Sequence, residues 1–318
     1  MRRTLFICSL VLLLALPVKA QHWDRKDTPL VFTPQWTAQA QFAGYYVAQE
    51  KGFYAEEGVE VVIVHPNATQ SSEQRIRTHL SHITTLQLAQ AMQIIDSGVP
   101  LVNLLQTSMN NGMAVISRRG KSPMEQKGAK VAIWAAGFTQ LVEAVVKEAG
   151  LDYDWVRAAS SVNLFIAGAV DASAGMTYNE YYQILQAGFS IDDASVYRFS
   201  EHGYNIQEDG VYVTRAFYEK HRDEAEKFAR ASRRGWEYAA AHPEEALDIV
   251  MEYVRRNNIA TNRILQHLML EEILRQQLDP DTGERAFSIR PEMVQQASDM
   301  MLRSGVISHP VTLEQLCR

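Results

Sequence analysis

The chain has 318 residues, is 47% hydrophobic and 21% charged, and carries a formal net charge of −6. That is the composition of a soluble globular protein of about two domains, with no collagen-like or low-complexity bias. No Lys/Arg run supplies the concentrated positive footprint that nucleic acid needs, and two cysteines, Cys8 and Cys317, cannot make a disulfide scaffold.

Met1-Arg2-Arg3, the apolar run Thr4 to Pro17 and the small-x-small triplet Val18-Lys19-Ala20 predict a secretory signal peptide over 1–20, cleaved after Ala20. The apolar run is shorter than the ~20 residues of a membrane span, so the exported chain is expected to be periplasmic. It would keep only Cys317, next to the end, where no cysteine chemistry is expected.

Leu30 to Thr33 reads as a buried first strand ending at Pro34-Gln35-Trp36, and Phe42 to Lys51 as a helix closed by Gly52. Val59 to Val64 reads as a second strand, and a helix follows Ser71-Ser72. Leu101 to Gln106 and Met113 to Ser117 read as further strands. After the polar segment Arg118 to Pro123, Val131 to Trp134 is a strand and Gln140 to Ala149 a helix. Ala169 to Met176 is a small-residue strand, and Val211 to Thr214 could return the chain to the first unit. From Ala216 onward the pattern is helical, with breaks at His242-Pro243, Asn257-Asn258 and Asp279 to Gly283, and a last helix from Pro291 to Gly305. The alternation of strand and helix is the pattern of a parallel sheet with helices on its faces, and the reading is an α/β chain of two lobes. Lobe 1 is 21–117 plus 213–318 and lobe 2 is 118–212; the crossings lie near 116–122 and 209–214, and the C-terminal third is helical.

No phosphate-binding glycine loop, nucleophile elbow or H-E-x-x-H is present. His79 and His82 share a spacing that can bind metal, but no third ligand lies near, so no metal site is expected. Asn67-Ala68-Thr69 matches a glycosylation sequon that is common by chance. With no catalytic constellation, and no cofactor expected, binding is the better reading.

Ligands of open α/β sheets sit at the C-terminal ends of strands. Trp36 and Gln39 follow strand one, and Asn67, Ser71 and Ser72 follow strand two. Thr84 and Thr85 are expected after a third strand, and Gln106 ends a fourth. Trp134 and Thr139 flank a turn in the second unit, and Asn179-Glu180 follow another strand. Indole faces suit a planar ligand, and a carboxylate such as Glu180 can accept two hydrogen bonds from an amino-substituted ring. Each residue also has an ordinary reading: core filler for Trp36 and Trp134, a helix cap for Ser71-Ser72, a capped turn for Asn179-Glu180.

Gln35 to Ala48, followed by Lys51-Gly52-Phe53-Tyr54-Ala55-Glu56-Glu57-Gly58-Val59-Glu60-Val61, resembles the opening signature of ABC-transporter substrate-binding proteins. The branch is that of the nitrate/sulfonate/taurine binders and the thiamine-pyrimidine-precursor (ThiY-like) binders. Gly168 to Ala172, Tyr178 to Tyr181, Gly203-Tyr204 through Glu208 to Thr214, and Phe228 to Tyr238 with His242 to Ala246 are also similar. The resemblance implies a two-lobe, type II-like periplasmic-binding-protein fold of two mixed sheets flanked by helices, which closes on a small-molecule ligand, such as a thiamine pyrimidine precursor, and delivers it to an ABC permease; the protein is expected to be a monomer. It also implies that Trp36, Asn179 and Glu180 contact the ligand, with Tyr204 and Glu208 as further candidates. Two segments depart from the pyrimidine binders. Ala38-Gln39 and Phe42 stand where Pro-Asn and a His are common, and Asn67 to Ser72 replaces a glycine-rich turn.

The related fungal pyrimidine synthase shares the fold but uses a lysine, a histidine and a cysteine cluster. This chain has no lysine between Lys51 and Lys121 and no cysteine from Phe199 to Thr214, so an enzyme of that type is not expected. The alternative is a soluble sensor subunit for a membrane histidine kinase or cyclase, because Gln39 to Tyr46 resembles periplasmic sensor domains as well. The end of the chain at Arg318, with no membrane segment after it, favours a separate soluble subunit.

Overall fold

The computed structural model describes residues 29–67, 69–135, 137–158 and 161–317. The expected signal peptide lies outside the described residues.

The first sheet is built where the sequence alternates short apolar strands with helices. β1 (Leu30–Thr33) leads through a single helical turn into α1 (Ala43–Glu50) and α2 (Phe53–Glu56), then β2 (Val61–Ile63). Gly52 adopts φ 76° between the two helices, the left-handed conformation that ends the first. α3 (Ser72–Arg77), β3 (Ile83–Gln87), α4 (Leu88–Asp96) and β4 (Leu101–Gln106) follow.

The second sheet takes β5 (Met113–Ser117), β6 (Lys130–Trp134), α5 (Gln140–Glu148), β7 (Asp154–Ala158), α6 (Asn163–Ile166), β8 (Ala172–Met176), α7 (Glu180–Gln186) and β9 (Val196–Arg198). β10 (Asp209–Thr214) returns to the first sheet. A helical run follows: α8 (Arg215–Lys220), α9 (Arg222–Ala241), α10 (Pro243–Arg256), α11 (Arg263–Gln276), α12 (Pro291–Ser304) and the short α13 (Leu313–Leu316). Pro243 and Pro291 open their helices at the first turn, and Gly305 at φ 74° closes α12.

The strand orders are β2-β1-β3-β10-β4 and β7-β6-β8-β5-β9. In each sheet the fourth strand is antiparallel to both neighbours, and it is the strand delivered by a crossing segment. β5 pairs with β8 and β9, so Met113 to Ser117 belongs to the second lobe and not to the first. The crossings therefore run through 107–112 and 199–208 rather than 116–122 and 209–214. A strand's own apolar pattern does not say which sheet will receive it. Thr84 and Thr85 lie inside β3 rather than after it, and α13 follows the helix expected to be last.

The crossings are tied to each other. Asn111 N–H donates to Asn205 Oδ1 at 2.8 Å, Asn205 Nδ2 to Asn110 Oδ1 at 2.9 Å, and Glu208 N–H to Ser108 Oγ at 3.0 Å. The C-terminal region braces them from outside. Met109 N–H donates to Gln276 O at 2.8 Å and Gln207 Nε2 to Ser288 O at 3.0 Å. Among the described residues no helix is long and apolar enough to cross a membrane.

α1 packs on α9 through two glycines. A Cβ on Gly235 would stand 2.0 Å from the Gly44 carbonyl oxygen and 2.9 Å from Ala48 Cβ. The obstacle is backbone, so the helices would have to separate. Gly235→Ala should therefore destabilise the protein by about 1–3 kcal/mol or more, read as a lower urea midpoint at unchanged slope. An unchanged midpoint would show that the helices can shift freely.

Candidate functional site

The C-terminal ends of β1, β6 and β8 converge between the two lobes. The cavity there is lined by Gln35, Trp36, Gln39 and Gln41 from the first lobe and by Trp134, Phe138, Met176, Tyr178, Asn179 and Glu180 from the second. It encloses about 20 Å³, space for a body the size of one water molecule. A heterocycle needs the walls to part.

Trp36 meets Phe138 edge-on at 5.3 Å between centroids with 79° between planes, and Trp134 meets Phe138 at 6.1 Å and 71°. Phe138 thus links an indole of each lobe. It does so at φ 57°, a left-handed conformation rare for a bulky residue; such strain costs about 1–3 kcal/mol and collects at functional sites. The Trp36 backbone is held by His65, whose Nδ1–H donates to the Trp36 carbonyl at 2.6 Å while Nε2 accepts from Tyr46 at 2.9 Å. Burial lowers the His65 pKa from 6.5 to about 4, so the ring is neutral.

Glu180 opens α7 and is 6% exposed. Oε2 accepts from Met176 N–H at 2.8 Å, and Oε1 from Asn179 Nδ2 at 3.2 Å and Trp134 Nε1 at 3.3 Å. Burial raises its pKa above the ordinary carboxylate value; the donors oppose that shift without cancelling it.

On the facing wall, Asp209 organises three glutamines. Gln35 Nε2 and Gln41 Nε2 each donate to it at 2.7 Å, and Gln39 Nε2 donates to Gln41 Oε1 at 2.7 Å. Burial lifts the Asp209 pKa from 3.8 to about 6 against the pull of these donors. Its neighbour Glu208, 3% exposed, is pushed well above 4.5 by burial and by the charge of Asp209.

Five of the residues expected from the sequence come together at this cavity: Trp36, Gln39, Trp134, Asn179 and Glu180. The others stand elsewhere. Asn67 Oδ1 accepts from Thr69 and Gln70 in an exposed turn, and Ser71 caps α3 in a capping box with Gln74. Ser72 is buried in the first turn of α3. Thr84 donates to the Thr33 carbonyl at 2.8 Å, and Thr85 accepts from Gln35 N–H at 2.8 Å, just behind the wall. Gln106 bonds Asn103 and Ser108, Thr139 precedes α5, Tyr204 packs on Phe199, and Glu208 lies at the crossing.

Gln35, Gln41, Met176, Tyr178 and Asp209 are not singled out in the sequence as contacts, whereas Phe138 lies in the turn flanked by the expected residues Trp134 and Thr139. Gln35 and Gln41 stood inside the recognisable opening segment, the one trace that could have found them. His82 Nδ1 accepts from Val31 N–H at 2.7 Å, and burial lowers its pKa to about 3. Among the described residues no three His, Cys, Asp or Glu stand close enough to hold a metal.

A group with a raised acid pKa contributes stability that is complete below its unfolded pKa and lost as the pH climbs through the folded one. For Asp209 that window runs from 3.8 to about 6. The stability of the wild type relative to Asp209→Asn should fall by about 2 kcal/mol between pH 4 and pH 7, measured by urea unfolding at each pH. A constant difference would show that Asp209 titrates normally.

The family model described as "NMT1/THI5 like" matches residues 39–246, so this chain belongs to the NMT1/THI5-like family. It is 25% identical over 230 residues, 68% of each chain, to the formylaminopyrimidine-binding protein of Halalkalibacterium halodurans. It is 22% identical over 289 residues, 86% of this chain and 80% of the other, to the riboflavin-binding protein RibY of Chloroflexus aurantiacus. Its fold is that of periplasmic binding proteins. The periplasmic aliphatic sulphonate binding protein SsuA of Escherichia coli superposes with a TM-score of 0.64 at 15% identity, over 91% of this chain and 92% of that one.

Proposed function

We propose that this protein is the solute-binding component of an ABC importer. It captures a small amino-substituted heterocycle, such as a thiamine pyrimidine precursor, between its lobes and presents the closed form to a membrane permease. The observation that carries the reading is the cavity itself: the buried Glu180 carboxylate bonded to Trp134, with Trp36 and Phe138 completing an aromatic enclosure drawn from both lobes. The names of the pyrimidine- and riboflavin-binding relatives support a flat nitrogen heterocycle.

The mechanism is a shift in the open–closed equilibrium. A ligand that touches both walls only when they are together favours closure by its differential contacts. The crossings at 107–112 and 199–208 are the segments about which the lobes turn. In this reading the protein works by binding and performs no chemistry. It acts as a monomer in the periplasm, after removal of residues 1–20.

A thermal-shift panel of thiamine, hydroxymethyl- and formylamino-pyrimidines, riboflavin, taurine, alkylsulfonates, nitrate and polyamines tests the reading. A ligand at 100 times its Kd adds about 2.7 kcal/mol to the folded state, a rise of a few degrees. An aminopyrimidine should give that rise. Glu180→Ala should weaken its binding roughly ten- to a hundredfold, the worth of a charge-assisted hydrogen bond, and Trp36→Ala about tenfold through lost stacking. Wild-type affinity in both variants would mean that the ligand sits elsewhere.

A further inference from the structure

Five side-chain nitrogens around Asp209 and Glu180 each donate a hydrogen bond to a protein oxygen. Gln35 and Gln41 donate to Asp209, Gln39 to Gln41, and Trp134 and Asn179 to Glu180. Ionised Asp209 can only accept, so the Gln35 amide is fixed with Nε2 toward it and Oε1 turned away. That oxygen is buried and has no partner, on a residue that lines the cavity and is 3% exposed. A buried carbonyl oxygen without a donor is destabilising, and a ligand N–H or O–H relieves it. The opposite wall offers the Glu180 carboxylate, also an acceptor.

The charges agree with this pattern. Among the described residues that line the cavity none is Lys, Arg or His. Arg157, which reaches the Trp134 carbonyl at 3.5 Å, is paired with Glu143 at 2.5 Å. An anionic group brought in beside Glu180 would meet a like charge in a water-poor site with no cation to offset it.

We infer that the cleft reads its solute with two acceptors on facing walls, Gln35 Oε1 and the Glu180 carboxylate. It takes an uncharged or cationic heterocycle with N–H or O–H donors on two edges and rejects sulfonates, nitrate and phosphate esters. The inference rests on the solute-binding reading above and adds the charge and the donor pattern of the solute.

Calorimetric titration of the purified protein tests it. The ligands are 4-amino-5-hydroxymethyl-2-methylpyrimidine, its phosphate ester, its N-dimethyl and O-methyl analogues, and taurine. The parent should bind. The ester, taurine and each methylated analogue should bind at least about tenfold more weakly, the worth of one hydrogen bond. Gln35→Met should cost the parent about tenfold and cost one of the methylated analogues nothing, because that analogue already lacks the donor Gln35 reads. Gln35→Met also removes a donor from Asp209, so the double substitution Gln35→Glu with Asp209→Asn is the control for folding. It exchanges donor and acceptor between the two positions: the new amide would donate to one oxygen of the new carboxylate and leave its other oxygen facing the cavity. That pair should restore parent binding.

Taurine or the phosphate ester binding as tightly as the parent would overturn the inference and leave the solute-binding role standing. So would unchanged parent affinity in Gln35→Met while Glu180→Ala is impaired. Failure of every ligand to bind would overturn the aminopyrimidine reading and this inference with it.

Discussion

Asp209 stands where the chain comes back from the second lobe, and the first-lobe wall of the cleft is arranged around it. Its backbone carbonyl accepts from Thr107 and Ser108 N–H on the outgoing crossing, while its carboxylate holds Gln35 and Gln41. One buried acid therefore joins the crossing segments to the wall of the cavity. Burying a carboxylate is costly unless donors surround it, and here the donors are the groups that form the wall. The acid and the glutamines fix one another: without the glutamines the charge is stranded, and without the charge the amides have no fixed orientation.

The second-lobe wall follows the same logic with a different donor set. Glu180 draws the Trp134 indole and the Asn179 amide toward itself, so the aromatic face is aimed by a hydrogen bond rather than by packing alone. Phe138 completes the enclosure from a backbone conformation that an aromatic residue rarely adopts. Its contact with Trp36 spans the gap between lobes, as does the bond from Gln140 Nε2 to Gln93 Oε1 at 2.8 Å. α12 adds a brace outside the cleft: Arg303 pairs with Glu148 at 2.7 Å, and Lys147 donates to the Ser304 carbonyl at 2.7 Å. These exposed contacts are individually weak.

Much of the fold was legible because its punctuation is local. Gly52, Pro243, Pro291 and Gly305 mark helix ends by backbone conformation alone, and β1, β4 and β6 are apolar enough to be read as buried strands. β7 escaped notice: Asp154 and Arg157 interrupt the apolar run on an edge strand that needs only partial burial. The sheet that receives β5 was out of reach, since Met113 to Ser117 is equally apolar in either lobe. In the site, Trp36, Trp134, Asn179 and Glu180 drew attention because aromatic rings and carboxylates announce chemistry. Gln35 and Gln41 did not, because a neutral amide acquires meaning only from its partner, and Asp209 lies more than 160 residues away.

The exchange of strands between lobes bears on how the molecule assembles. β10 lies between β3 and β4 and touches both, so the first 106 residues cannot close their own sheet. β3 and β4 must wait, with open edges, until the whole second lobe has been made and the chain has come back. Such non-local pairing slows folding and leaves unpaired edges open to misassociation in the interval. The second lobe has no such delay, because β5 is already in place when β6 to β9 are added. Assembly of the second lobe before the first would reverse the order in which the two sheets begin along the chain.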